Sequence, residues 1–190
     1  VGDLIYGGDL ERWQEFANSL RLRIAMRISE VPEVNALVRE HLSEAWAGNR
    51  FDSNADIADL DWTGTLPAQH PFYEQMVLGG RTGDFRVSGT IEDILTTTND
   101  PRLEIYLDPA GADGAFRGLP NGNLPADLGL TVADFSTLGA AFIAADAPSV
   151  LMPYAEVLFI GAGAAARGLV TADAFALCEE TVIGAVDALG

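Results

Sequence analysis

The chain has 190 residues, of which 48% are hydrophobic, and it carries a formal net charge of −17 because 28 carboxylates stand against eleven arginines and no lysine. A field of that sign repels phosphate and excludes nucleic acid as a partner. The acids are spread along the chain, which favours a solvated acidic surface, as in proteins from salty environments, over a site for cationic ligands. The single cysteine, Cys178, excludes an internal disulfide framework. The longest apolar run, Val150–Ala166, contains Pro153 and Glu156, whereas a membrane helix needs ~20 mostly apolar residues.

The segment from Asp9 to Ser29 predicts a helix with apolar surface on two sides. Asp9 stands where an N-cap carboxylate accepts the free N–H groups of the first turn. A main apolar stripe follows helical spacing. Its members are Leu10, Trp13, Ala17, Leu20, Ile24 and Ile28. Leu22 and Met26 fall on nearly the opposite side, so we expect this helix to lie between two neighbours, as in a stacked helical repeat.

A second helix is predicted at Pro32–Ala47, because proline fits the first turn of a helix and Gly48 follows its end. Two helices joined by a short turn form a helical hairpin of the tetratricopeptide-like kind. We therefore expect residues 1–48 to form one such hairpin.

The end of the chain predicts a second hairpin. Almost every position from Ser149 to Arg167 is apolar or alanine, which predicts a helix buried on all sides. Gly168 is placed to end that helix, and Thr171 to cap the next one, Ala172–Leu189. The predicted core face of the last helix comprises Phe175, Cys178, Val182, Ala185 and Leu189.

Between the two hairpins the helical periodicity is lost, and residues 49–148 are rich in glycine, proline, asparagine and isolated aromatic residues. Long loops in compact domains are uncommon and are often functional. Several short elements are predicted within this stretch: strands near Trp62 and at Asp84–Ser88 and Leu103–Leu107, a helix capped by Ser88 or Thr90 and ending near Thr97, and a helical piece at Thr131–Gly139. The sequence therefore predicts a mainly α fold in which two tetratricopeptide-like hairpins flank a loop-rich insertion with short strands.

Four segments resemble the SusD/RagB-like outer-membrane lipoproteins in content and order. They are DLIYGGDLERWQEFANSLRLRIAMRIS (Asp3–Ser29), VSGTIEDIL with DPRLEIY (Val87–Tyr106), GLPNG (Gly118–Gly122) and LMPYAEVLFIGAGAAARG (Leu151–Gly168). The resemblance implies a non-catalytic subunit without cofactors that captures a glycan or related nutrient at the cell surface. It also implies a TonB-dependent, SusC-like transporter as the partner that receives this nutrient.

Proteins of that family are longer than this chain and begin with a signal peptide and a lipid-anchored cysteine. This chain begins inside the first motif, and Cys178 lies in the last predicted helix. We therefore expect a single SusD-like domain fragment, residues 1–190, from the interior of a lipoprotein that is lipid-anchored at the outer membrane.

Three aromatic residues of the insertion are the candidate ligand-binding residues: Trp62, Phe72 and Tyr73. Sugar rings stack their C–H faces on aromatic rings, and tryptophan and tyrosine add a polar edge. The alternative is that these rings only anchor the loop to the helices. Exposed rings would favour capture of a glycan. Buried rings beside an apolar helical groove would favour a helical-repeat scaffold that binds another protein.

Glu156 is the one carboxylate in an otherwise apolar helix, where burial without a partner would be costly. We expect a structural ion pair with Arg23 or Arg27 rather than an active-site acid. The abundance of acids leaves a glycoside hydrolase as a third alternative, since its two carboxyls would stand ~5–10 Å apart across a cleft. No spacing of histidine and cysteine predicts a metal site. His41 is expected at a packed or surface position, while His70 is a structural residue or a hydrogen-bonding partner for a sugar.

Overall fold

A computed structural model describes residues 2–189, and the chain divides into two compact units. The first unit contains the residues up to Leu60 and those from Val150 onward, and the second contains Asp61–Ser149. Helices dominate the first unit, whereas short helices, turns and two-residue strands make up most of the second. Among the described residues, no helix combines the length and apolarity that a membrane crossing requires.

The first helix, α1, runs from Leu10 to Arg27 and begins at the predicted N-cap. The carboxylate of Asp9 accepts hydrogen bonds from the backbone N–H groups of Glu11 and Arg12. A short 3-10 turn at Pro32–Val34 leads into α2, Asn35–Ala47, which ends at Gly48. The two helices pack against each other, so the predicted hairpin is confirmed.

The loop before α1 is organised by the carboxylate of Asp3. It accepts hydrogen bonds from the backbone N–H groups of Ile5, Tyr6 and Gly8 and, at 2.7 Å, from the indole Nε1 of Trp13. Gly8 has a φ of +96°, a conformation that glycine adopts without steric cost. The spacing of Asp, Tyr, Gly and Trp in this motif therefore has a local structural cause.

The pKa of Asp3 falls from 3.8 to about 2, chiefly because Trp13 donates a hydrogen bond to the ionised carboxylate. The folded-state pKa is depressed, so the stabilisation is complete above about pH 4 and is lost as the pH falls toward about 2. We expect Asp3→Asn to flatten the decrease in melting temperature between these two pH values. Melting curves recorded across this range test the expectation, and an unchanged acid limb would contradict it.

The main apolar stripe predicted for α1 is not the buried face of this helix within the described residues. Leu10 is 81% exposed and Ile24 56% exposed, whereas Leu22 and Ala25 on the other side are buried. Residues of α1 and α2 together form a groove of about 390 Å³. Its walls are lined by Ala17, Leu20, Arg21, Ile24, Ala25, Ile28, Leu37, Val38 and His41. Helical periodicity identifies apolar faces, but the neighbouring elements decide which of them is buried.

The second hairpin begins later than predicted. Residues Ser149–Met152 form strand β4 rather than the start of a helix, and they pair with strand β1, Ala58–Leu60. Helix α5 runs from Tyr154 to Ala166, with Pro153 as its N-cap. Pro153 lacks the N–H that would extend the helix backward. One side of α5 packs in the main core, but Phe159 is 56% exposed. The prediction that this helix is buried on all sides is therefore wrong.

Helix α6 runs from Ala174 to Asp187 and packs against α5. Asp173, not Thr171, is its N-cap and accepts from the backbone N–H groups of Phe175 and Ala176. The predicted core face is also wrong, because Phe175, Val182 and Cys178 are exposed. Thr181 is buried instead and donates its hydroxyl to the carbonyl of Leu177. A threonine that bonds within its own helix can be buried without an unpaired hydroxyl.

The second unit contains helix α3, Gly89–Thr97, capped by Ser88 as predicted. The predicted strand Leu103–Leu107 is wrong: Leu103–Tyr106 form the short helix α4, and strand β2 is Leu107–Asp108. Asp100 explains the difference, since its backbone carbonyl and carboxylate accept the first N–H groups of this turn. Strand β2 pairs antiparallel with β3, Thr137–Leu138.

The remaining elements of this unit are turns. A 3-10 turn at Val132–Asp134 stands where a longer helical piece at Thr131–Gly139 was predicted. No strand forms at Asp84–Ser88 within the described residues; instead Ser88 makes an isolated parallel bridge with Leu119. A Cβ atom on Gly118 would lie 2.6 Å from the carbonyl oxygen of Ser88, so the first glycine of the GLPNG segment permits this close backbone approach.

Candidate functional site

Four rings of the second unit form a continuous series of contacts, which we call the aromatic row: Trp62, His70, Phe72 and Phe85. The ring centroids of Trp62 and His70 are 6.0 Å apart, with the planes nearly perpendicular. Those of His70 and Phe72 are 5.6 Å apart, and those of Phe72 and Phe85 are 5.7 Å apart. These are the separations at which aromatic rings attract one another.

Hydrogen bonds fix the positions of the rings. The indole Nε1 of Trp62 donates to the hydroxyl of Ser149 at 2.9 Å. The backbone N–H of His70 donates to the carbonyl of Ala145 at 2.8 Å. The backbone N–H of Phe72 donates to Nδ1 of His70 at 3.2 Å. The row is therefore held by contacts from distant parts of the loop as well as by ring packing.

Two of the three predicted ligand residues, Trp62 and Phe72, lie in the row. Trp62 is half-buried, and Phe72 is 41% exposed. Tyr73 lies at the start of a π-helical turn, Tyr73–Leu78, and makes no ring contact with the row in the described part of the chain. Sequence reasoning missed Phe85, which no local spacing connects to Trp62, and it treated His70 as an isolated residue. All three predicted residues remain candidates.

The two arginines nearest the row in sequence are already engaged. The guanidinium of Arg81 makes an ion pair with Asp84 at 2.7 Å. The guanidinium of Arg86 donates to the backbone carbonyls of Val132, Thr82 and Phe85, and burial lowers its pKa. An anionic ligand would have to compete with these partners, so the surroundings of the row favour an uncharged ligand.

Glu156 lies beside Arg23 in the first unit. Nε and one terminal nitrogen of the guanidinium donate to the two carboxylate oxygens at 2.6 and 2.5 Å. The same arginine reaches the carbonyl of Leu151 at 3.1 Å. The side chains of Arg23 and Glu156 are 25% and 31% exposed. Arg27 lines the same small pocket but makes no ion pair within residues 2–189.

Asp52 and Asp56 form a pair of interacting carboxyls near the first hairpin. A hydrogen bond with Asp56 raises the pKa of Asp52. The carboxylate of Asp56 also accepts from the backbone N–H and the hydroxyl of Ser53 at 2.9 and 2.8 Å. Carboxyls in direct contact leave no room for a glycosidic bond, which needs a separation of ~5–10 Å. This pair caps a turn and does not have the geometry of a glycoside hydrolase.

The second unit also contains a pocket of about 390 Å³ lined by Val87, Ile91, Tyr106, Leu107, Leu138 and Phe142. All of its walls except the tyrosine hydroxyl are apolar, so few groups could orient a polar ligand there. In the described part of the chain, no group of three or more histidine, cysteine, aspartate or glutamate residues is arranged to hold a metal ion.

Helical hairpins of this kind define a helical-repeat protein. The sequence identifies the family of helical-repeat proteins to which the chain belongs. Residues 1–187 match the SusD-like family that is described as starch-binding and associating with the outer membrane. The chain belongs to this SusD-like family. A comparison with curated proteins found no match.

Solved structures agree with the family. A chitin-binding SusD homologue from Flavobacterium johnsoniae is 28% identical, with a TM-score of 0.82 over 99% of this chain and 38% of its own. A chitin-binding protein is 26% identical, with a TM-score of 0.85 over 99% of this chain and 42% of its own. A SusD homologue from Bacteroides vulgatus is 26% identical, with a TM-score of 0.81 over 99% of this chain and 38% of its own. The chain thus spans about two-fifths of the length of these relatives.

Proposed function

We propose that this chain is part of a non-catalytic glycan-capture protein and that the aromatic row contributes to its glycan site. Membership in the SusD-like family carries the proposal. The row offers a saccharide the partly exposed rings of Trp62 and Phe72, which hydrogen bonds hold in place. Lipid anchoring at the outer membrane and delivery of the glycan to a TonB-dependent transporter belong to the same proposal and rest on the family.

The ligand class that we propose is a neutral oligosaccharide, and oligomers of N-acetylglucosamine are the first to test. Two of the relatives that are more than 25% identical are described as chitin-binding. The charge of −17 opposes anionic glycans. Arg81 and Arg86, the arginines that could offset this charge locally, are bound to other groups.

We expect Trp62→Ala and Phe72→Ala each to weaken binding of a chitin oligosaccharide by about tenfold, because each removes a stacking surface worth roughly 1.4 kcal/mol. Isothermal titration calorimetry measures the affinity at two salt concentrations. Little salt dependence is expected, since stacking on a neutral sugar involves no ion pair.

Phe175→Ala is the matched control, because Phe175 is an equally large ring that is 73% exposed on α6, outside the row. It should leave the affinity unchanged. Tyr73→Ala shows whether the predicted third ring takes part. If titration of the wild-type chain with chitin, starch and cellulose oligosaccharides gives no more heat than titration with buffer alone, the proposed function is wrong for this chain. If it binds but tolerates both row substitutions, the site lies elsewhere.

A helical scaffold that binds another protein remains the second candidate, and the open groove between α1 and α2 is the observation that favours it. The same titrations separate the two functions. A scaffold would show no saccharide affinity, whereas its binding of a protein would respond to polar substitutions of groove residues such as Ile24 and Leu37.

A further inference from the structure

The histidine at the centre of the aromatic row has one nitrogen engaged and one free. Nδ1 of His70 accepts the hydrogen bond from the backbone N–H of Phe72, so Nδ1 carries no proton. A neutral imidazole has one protonated nitrogen. The proton of His70 therefore lies on Nε2, and this nitrogen is a hydrogen-bond donor.

Hydrogen bonds and neighbouring rings hold His70 in place. Its own backbone N–H is bound to the carbonyl of Ala145, and its carbonyl accepts from the backbone N–H of Glu74 at 3.2 Å. Its ring packs edge-to-face with that of Trp62 and at a tilt with that of Phe72. His70 is only 8% exposed, and burial lowers its pKa, which favours the neutral ring.

The free nitrogen is polar and reaches solvent. Nε2 makes no hydrogen bond to any other residue in the range 2–189. Three polar side-chain atoms of the described residues are fully enclosed without a partner: Glu15 Oε2, Arg50 Nε and Gln69 Oε1. Nε2 of His70 also lacks a partner but is not among these enclosed atoms, so it is in contact with solvent. The residual exposure of this ring therefore includes its donor, and the ring that carries the donor contacts both Trp62 and Phe72, which we expect to stack on sugars.

We propose that Nε2–H of His70 donates a hydrogen bond to an oxygen of the bound saccharide and so sets its position along the aromatic row. This inference rests on the proposed function, because it assigns a specificity-determining group within the same site. Stacking is tolerant of the position and identity of a sugar ring. A single fixed donor adds direction, because a hydrogen bond requires an acceptor near the N–H axis. The acceptor would be a hydroxyl or an acetamide carbonyl oxygen.

Two substitutions separate the donor from the rest of the ring. In His70→Asn, the amide oxygen can take the place of Nδ1 and accept from the N–H of Phe72, as aspartate and asparagine do in turns, but the donor Nε2–H is lost. In His70→Gln, the longer amide can place an N–H near the position of Nε2. We expect His70→Asn to weaken binding of an N-acetylglucosamine oligomer by about tenfold. We expect His70→Gln to weaken it by about threefold or less.

Equal losses of affinity in both variants would mean that the ring acts only by packing. Unchanged affinity in His70→Asn would mean that the donor is not used. Either result overturns the inference while the proposed function stands. Comparing N-acetylglucosamine and cellulose oligomers of equal length identifies the acceptor. If His70→Asn loses affinity only for the N-acetylglucosamine oligomer, the acceptor is the acetamide carbonyl. If it loses affinity equally for both oligomers, the acceptor is a hydroxyl. If the wild-type chain binds no oligosaccharide, the proposed function fails and this inference fails with it.

The tautomer is measured on the wild-type chain by ¹⁵N NMR of the imidazole nitrogens, where only His41 must be distinguished. We expect the Nδ1 signal of a bare nitrogen and the Nε2 signal of a protonated one. The Nε2 signal should shift when the saccharide is added. A proton found on Nδ1 would overturn the inference whatever the variants do.

Discussion

Replacing Gly161 by alanine is expected to destabilise the first unit by about 3 kcal/mol, since forcing extra atoms into a packed core costs this much. A Cβ atom at Gly161 would lie 2.1 Å from the indole of Trp46 on α2, closer than any real contact. The indole cannot move aside freely, because the guanidinium of Arg50 stacks on it with 3.9 Å between the guanidinium carbon and the ring centroid. Urea unfolding of the purified chain measures the change.

The same helix offers a matched control in Gly163. A Cβ atom there would meet only the terminal methyl group of Met26 at 3.0 Å, and a flexible thioether can shift. Alanine is a better helix former than glycine by about 1 kcal/mol, so Gly163→Ala should be neutral or stabilising. In a Trp46→Leu background the cost of Gly161→Ala should largely disappear. Similar costs for both glycines would show that the indole is not the obstacle.

Glu156→Ala is expected to destabilise the chain by about 2 kcal/mol. It removes a bidentate, charge-assisted pair and leaves the guanidinium of Arg23 half-buried without its carboxylate. A fully buried pair would lose about 3–5 kcal/mol when one partner is removed, but exposures of 25% and 31% allow water to solvate part of the remaining charge. Thermal and urea unfolding report the loss.

Arg27→Ala is the control for this ion pair, because Arg27 lines the same pocket and is exposed. It should change stability by less than about 0.5 kcal/mol, as surface substitutions usually do. Arg23→Met combined with Glu156→Leu should recover most of the stability lost in either single variant, because no charge is then left unpaired. A Glu156→Ala chain that melts within about a degree of the wild type would show that water already solvates this carboxylate.

Some features that depend only on neighbouring residues could be predicted from the sequence. Asp9 and Ser88 cap α1 and α3 as expected, because a cap needs only its own side chain and the N–H groups that follow. The alternation in Leu103–Leu107 misled because four residues can match a strand and a helical turn equally well. Asp100, three residues earlier, decides between them by accepting the first N–H groups of α4.

Features that depend on remote partners could not be predicted. The sequence shows that α1 is apolar on two sides, but the positions of the helices packed against it, α2 and α5, determine that Leu22 is buried and Ile24 exposed. The candidate site behaves in the same way. Trp62 and Phe72 were identified by residue type, whereas the contacts of Trp62 with His70 and of Phe72 with Phe85 depend on how the loop folds. The ion pair between Arg23 and Glu156 joins residues 133 positions apart.

We expect the exposed stripe of α1 to influence how copies of the chain associate in solution. Leu10 and Ile24 on α1, like Phe175 on α6, present apolar surface on a molecule that carries −17 charges. At neutral pH and low ionic strength, mutual repulsion keeps these surfaces of different copies apart. Added salt shortens the range of that repulsion to about 8 Å at physiological strength, and acidification toward the isoelectric point of 4.2 removes it. Association between copies therefore depends on the pH and ionic strength of the buffer. The net charge opposes association, and the exposed apolar stripe favours it.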